Sequence, residues 1–142
     1  MNRERPWRIL DAGEFAAELQ EMVDRMPAGL ENVEPGWYPL LVRCWRQLKA
    51  NEPDVVPVEV KEKFGELRIA VATKDPALRA RHGLAIGWAR KQSRRTCQLC
   101  GGRASLKDDG LRPGRPTRLC PACSAFLDRS VDAGRSESED TR

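Results

Sequence analysis

Between residues 11 and 26, "DAGEFAAELQEMVDRM" places Phe15, Leu19, Met22, Val23 and Met26 on one stripe, while Glu14, Glu18, Glu21 and Asp24 face away. Apolar spacings of three and four residues predict an amphipathic helix. Asp11 is positioned to cap it, with Glu14 three residues on in the capping-box arrangement. "PAGLENVEPG" has no period and reads as loop. A second helical pattern occupies "WYPLLVRCWRQLKAN", where Trp37, Leu41, Cys44, Trp45 and Leu48 share the inner face. Pro39 falls in its first turn, where a missing N–H is harmless.

The period then changes from helical to alternating. Val56, Val58 and Val60 alternate with Pro57 and Glu59; Leu67, Ile69 and Val71 alternate with Arg68 and Ala70. This predicts a two-stranded hairpin turning near Lys63-Phe64-Gly65, with Pro57 on an edge strand or at a strand start. A lone hairpin is not stable, so the helices must cover its apolar face. "DPALRARHGLAIGWARKQSRR" returns to a helical pattern, with Asp75 as cap, Pro76 as first residue and Leu78, Leu84, Ala85, Trp88 and Ala89 as inner stripe. Arg79, Arg90 and Arg94 share an outer face, and Gly83 and Gly87 weaken the helix. "SAFLDRSVD" is a last short helical pattern before a polar, weakly acidic tail that reads as disordered.

The pattern therefore predicts an α+β fold: two N-terminal helices, a β-hairpin and a basic helix over residues 1–95. A four-cysteine element over residues 96–131 and an acidic tail over 132–142 complete it.

Composition sharpens this. The chain has 142 residues, 40% hydrophobic and 32% charged, so its core is modest and a staple is useful. No apolar run approaches the roughly 18 residues of a membrane helix. The basic start lacks the apolar stretch of a signal peptide, so a cytoplasmic protein with no membrane partner is expected. In the reducing cytosol, paired cysteines hold metal more often than they form disulfides.

The net charge of +4 is unevenly spread: residues 1–73 carry −3, residues 74–118 carry +9, and residues 119–142 carry −2. Arg79, Arg90, Lys91, Arg94 and Arg95 lead into Arg103, Arg112, Arg115 and Arg118. Arginine forks suit phosphate, so this segment is the expected surface for nucleic acid or for an acidic protein face. Stacking aromatics are scarce there, which disfavours single-strand readout.

The strongest chemical signal is Cys97-x-x-Cys100 followed, 19 residues later, by Cys120-x-x-Cys123. Each two-residue gap lets a turn present both sulfurs to one ion, and four thiolates form a closed tetrahedral site. A structural Zn2+ is expected. A closed site keeps no position for water, so the metal is not catalytic. With no triad or phosphate loop either, no enzyme is expected. Knuckle, hairpin, then a helix carrying the last ligands is the treble-clef order, with a zinc ribbon as alternative; "LCPAC" entering a helix is similar to GATA-type fingers. Cys44 reads as a buried structural residue, and the lone His82 as a structural or surface histidine and not a ligand or base.

The hairpin string "VKEKFGELR" crowds Lys61, Glu62, Lys63, Glu66 and Arg68 around a turn carrying Phe64 and Gly65. Alternating signs fit cross-strand pairs on a solvated hairpin. A second reading makes Lys61, Lys63, Phe64 and Gly65 a contact surface with Phe64 as anchor.

Together, "GWYPLLVRCW", "VPVEVKEKFGELRIAV", "SRRTCQLCG" and "TRLCPAC" resemble a family of small bacterial and phage proteins. These share a Gly-Trp-aromatic helix start, a Val-Lys-Glu-Lys-Phe-Gly-x-Leu-Arg hairpin and two Cys-x-x-Cys pairs. The resemblance runs from Gly36 to Cys123 and implies zinc and a bacterial or phage setting, with no established activity. Glu66 stands where that pattern has a second glycine. The functional expectation is a non-enzymatic zinc-containing module that binds nucleic acid or a protein–nucleic-acid complex. The alternative is an interaction adaptor or inhibitor using the hairpin tip.

Overall fold

The structure is a computed structural model that describes residues 13–26, 30–31, 33–104 and 118–126. It is mixed α+β. Helix α1 (Ala16–Asp24) leads to a short strand β1 (Leu30–Glu31) and then to α2 (Tyr38–Asn51), which is entered through a 3₁₀ turn at Pro35–Trp37. The hairpin β2 (Val56–Lys63) and β3 (Glu66–Ala72) follows. A second 3₁₀ turn, Pro76–Leu78, opens α3 (Arg79–Ser93), and residues 121–126 form α4. Asp11 lies outside the described residues. Within them α1 begins at Ala16, and Phe15 at its N-cap gives no side-chain cap.

Two tryptophans anchor the core. Trp37 and Trp45 are almost fully buried, together with Leu41, Leu48, Val55, Val60 and Leu67. Burying aromatic and branched side chains of this size stabilises by about 1.5–3 kcal/mol each. The Trp45 indole N–H donates to Glu21 Oε1 at 2.8 Å, which satisfies its polar edge at the α1–α2 seam. Arg25, just past α1, lies over the Trp45 ring at 5.4 Å and donates to the Pro53 carbonyl at 2.8 Å.

The sheet order is β1-β2-β3. β1, which was expected to be loop, pairs parallel to β2 through Leu30↔Val60 and Glu31↔Lys61. Two residues are too few for alternation to reveal a strand. β2 is therefore central, not an edge, yet Pro57 sits beyond the reach of β1, where no ladder bond is asked of it.

A bulge between Pro57 and Glu59 shifts the phase of β2. Pro57 and Val60 turn inward; Val56 and Val58, expected to share the buried face with Val60, are 37% and 49% exposed.

The inner face of α3 also differs from the expected stripe. His82, Ala85, Ala89 and Ser93 are buried, and Leu84 is 76% exposed. Residues 82, 85, 89 and 93 lie within one narrow sector at 100° per residue, with Leu84 opposite. The small residues let α3 lie close against β3, where the Ser93 hydroxyl accepts from the Leu67 N–H at 3.0 Å.

Of the two readings of His82, structural or surface, the structure gives the first: the residue is 2% exposed and has an acid partner that spacing did not reveal. Its Nε2 lies 2.9 Å from Glu52 Oε1. Glu52 also accepts from Thr73 Oγ1 at 2.7 Å and from the Lys74 N–H at 3.1 Å, so one carboxylate ties the ends of α2 and β3 to α3. Bonds from His82, Thr73 and Lys74 draw the Glu52 carboxyl from an ordinary 4.5 down to about 2. A depressed carboxyl contributes stability that is complete above its unfolded value and lost as pH falls through its folded one. The difference in urea midpoint between wild type and Glu52→Gln is therefore expected to be full at pH 6 and to shrink below about pH 4.5. A constant difference down to pH 2 would show that the charge of Glu52 does not matter.

Candidate metal centre

The cysteines are brought together by two short turns. A one-residue bridge pairs Thr96 with Arg103, and inside it the Cys97 N–H donates to the Gly102 carbonyl at 2.7 Å. The Gly101 N–H returns to the Cys97 carbonyl at 3.0 Å, with Gly101 at φ 77°, a conformation that suits glycine. This knuckle presents Cys97 and Cys100. Cys120 and Cys123 flank the start of α4, whose first turn is closed by the Ser124 N–H on the Cys120 carbonyl at 3.0 Å.

All four sulfurs lie within 4.8 Å of one another, and no disulfide forms among them. Cys100 Sγ and Cys120 Sγ are 3.6 Å apart. A tetrahedral ion with metal–sulfur bonds of about 2.3 Å has sulfur–sulfur edges of about 3.8 Å, so the donor set fits such an ion. Backbone N–H groups already point at the sulfurs: Gly102 donates to Cys100 Sγ at 3.3 Å and Cys123 donates to Cys120 Sγ at 3.4 Å. Such donors stabilise thiolate charge on a bound ion's ligands. Without an ion, burial pushes the Cys100 and Cys123 thiols up. Metal loading must therefore displace protons from these thiols, and affinity weakens as pH is lowered. The fifth thiol, Cys44, is 1% exposed and burial raises it to about 12, so it is an inert packing residue.

The cysteine element is docked on the core through backbone. The Gly36 N–H donates to the Gln98 carbonyl at 2.7 Å, and the Trp37 indole N–H donates to the Thr96 carbonyl at 3.0 Å. There is no room at Gly36 for a side chain: an added Cβ would sit 2.1 Å from the Cys97 carbonyl oxygen. This explains the Gly-Trp pair at the start of α2. The glycine gives close approach and the indole gives the adjoining bond. Spacing alone could not reveal the contact, because its partner lies some sixty residues away in the chain.

A second bond ties the element to the hairpin tip. Arg118 is 5% exposed and its Nε donates to the Gly65 carbonyl at 3.1 Å, while its N–H donates to Gln98 Oε1 at 3.2 Å. Phe64 and Gly65 both have positive φ, 55° and 75°, as a type I′ turn requires. Phe64 is thus held in a conformation that costs a non-glycine residue about 1 kcal/mol or more, with its ring 81% exposed. Lys63 Nζ lies 5.7 Å from that ring. Glu62, behind the tip, has its carboxyl raised by burial.

The basic residues divide into two groups. Glu66 takes Arg90 Nε at 2.7 Å and Arg94 Nε at 2.6 Å, and Arg68 lies 3.3 Å from it. Burial alone would raise the Glu66 carboxyl; the two guanidinium bonds reverse that and hold it below its usual range. Arg90, Arg94 and Arg118, expected on a phosphate-binding surface, are thus each bonded within the protein; Arg118 is buried, while Arg90 and Arg94 stay partly open to solvent. Arg79, Lys91, Arg95 and Arg103 are exposed. The Ala104 N–H donates to the Arg95 carbonyl at 2.9 Å, which ties the end of α3 to the chain leaving the knuckle. Lys61 pairs with Glu59 on the outer face of β2. Arg112 and Arg115, with the acidic tail, lie outside the described residues. No described helix is long and apolar enough to cross a membrane.

No family model matches the chain, and no curated protein or solved structure matches it.

Loading the protein with cobalt(II) is expected to give thiolate-to-metal charge-transfer absorption that disappears with Cys97→Ser or Cys123→Ser, and to release the ion as pH falls. Unchanged absorption in both variants would place the ion elsewhere. Gly36→Ala is expected to lower urea stability by about 3 kcal/mol through the clash with the Cys97–Gln98 backbone. The same change at Gly83, where an added Cβ meets nothing within 4 Å, is expected to raise stability by about 0.5–1 kcal/mol. Equal effects at the two glycines would contradict this geometry.

Proposed function

We propose that this chain is a non-enzymatic binding module in which a structural zinc ion staples the cysteine element to the core, and that it takes nucleic acid where α3 runs into the knuckle. The observation that carries this reading is the group Lys91, Arg95 and Arg103: all three are exposed, where the end of α3 is tied to the knuckle by the Ala104–Arg95 backbone bond. Arg94 adds to this face while holding Glu66. Zinc suits four thiolates in a closed site, and its binding energy serves as folding energy for a segment with few apolar residues. The charge lies on backbone-anchored elements, and among the described residues no aromatic ring contacts Lys91, Arg95 or Arg103, which favours phosphate contact on a duplex over base stacking.

The test is binding of the zinc-loaded protein to duplex DNA and RNA across a salt series. Affinity is expected to fall steeply with salt, and the Arg95→Ala/Arg103→Ala pair is expected to reduce the log–log slope by about 2. Binding that ignores salt, or a pair variant identical to wild type, would remove this reading.

A second reading rests on Phe64. An aromatic ring 81% exposed at a turn braced from behind by Arg118 is a suitable anchor for an acidic protein face, with Lys63 beside it. Loss of a co-purifying protein on Phe64→Ala, with nucleic-acid affinity unchanged, would favour it.

A further inference from the structure

We infer that the groove between β3 and the first turns of α3 receives an extended acidic peptide of a partner protein, which adds to β3 as a further strand. This site lies away from the knuckle and does not depend on the reading above.

The hairpin's two-residue turn makes Lys63↔Glu66 its closing pair, so Glu66, Arg68, Ala70 and Ala72 direct their backbone bonds to β2. The N–H and C=O groups of Leu67, Ile69 and Val71 face the other way. α3 closes that edge at one end only, where Ser93 takes the Leu67 N–H. Among the described residues the outward groups of Ile69 and Val71 have no hydrogen-bond partner. Beside Val71 a cavity of about 470 Å³ opens between Ala70–Thr73 and the Arg79, His82, Gly83 and Ile86 side of α3. An open strand edge beside a helix is the geometry of β-strand addition.

Two further observations select the occupant. His82 is among the residues lining this cavity and is 2% exposed, and its buried Nδ1 has no partner while Glu52 holds its Nε2. A buried ring nitrogen left unpaired is disfavoured, and a ligand polar group would complete it. The charge is the second. Arg79, Arg90 and Arg94 run along one side of α3; Glu66 of β3 neutralises the latter two, and Arg79, at the open end, has no ion pair among the described residues. α3 itself carries no acidic residue. A strand whose outward side chains are carboxylates would do for Arg79 what Glu66 does for its neighbours.

The probe is a fluorescein-labelled peptide of about eight residues alternating valine and glutamate, titrated into the full zinc-loaded chain, with an alternating valine–lysine peptide as control. The glutamate peptide is expected to bind at least about tenfold more tightly than the lysine peptide, and to slow amide exchange at Ile69 and Val71. Gly83→Leu fills the groove from a position where an added Cβ meets nothing within 4 Å, so it keeps the fold. It is expected to weaken the peptide by about tenfold or more. Absent binding, equal binding of both peptides, unprotected Ile69 and Val71 amides, or an unaffected Gly83→Leu would each overturn the inference. So would a concentration-dependent dimer abolished by Gly83→Leu, because the occupant would then be a second copy of the chain.

Discussion

Two backbones touch where Gly36 meets Gln98, and nothing larger than a hydrogen fits between them. That contact sets the position of the described cysteine element. It fixes the first turn of α2 against the knuckle, and the Trp37 indole completes the seam on Thr96. Trp37 is also a wall of the main core, so the four thiols are referred directly to the best-packed part of the protein. The cysteine element has only a small apolar cluster of its own, built around Leu99, Ala104 and Leu119. It depends on that seam as much as on any ion it holds.

Electrostatics inside the molecule compete with electrostatics towards a partner. A segment of net +9 invites a polyanion, yet part of that charge answers a single carboxylate. Glu66 is 13% exposed and sits between Arg90 and Arg94, which are themselves 41% and 48% exposed. Such half-exposed pairs are screened by solvent, so they orient α3 against the hairpin more than they stabilise it. Arg118 is different: it is buried and bonded to a carbonyl, and its role is to brace a turn. Exposed and outside the Glu66 cluster are Lys91, Arg95 and Arg103 at one end of the helix and Lys74, Arg79 and Arg81 at the other.

Much of this was legible in the chain. The α+β class, α2, the hairpin and its turn, the basic helix and the Cys97–Cys123 constellation all follow from period, capping residues and spacing. The misses have physical causes. Leu84 drew the inner stripe of α3 towards itself, because hydrophobicity outweighs size in a pattern. The structure instead buries small residues that allow close approach to β3. Val58 looked inward because alternation assumes an unbroken ladder, and the bulge beside it adds a residue. The roles of Gly36, Glu52 and Arg118 each need a partner twenty or more residues away, which no local pattern carries.

Arg118 and Cys120 are separated by one residue, the buried Leu119. Two residues of chain span no more than about 7 Å, so the brace on Gly65 and the sulfur ligand move on a common tether. Phe64 stands on the far side of that brace in a conformation the isolated turn would not favour. One short stretch of chain therefore serves both the turn under Phe64 and a corner of the thiol cluster, and the hairpin tip and the cysteine element are held in a single register by it.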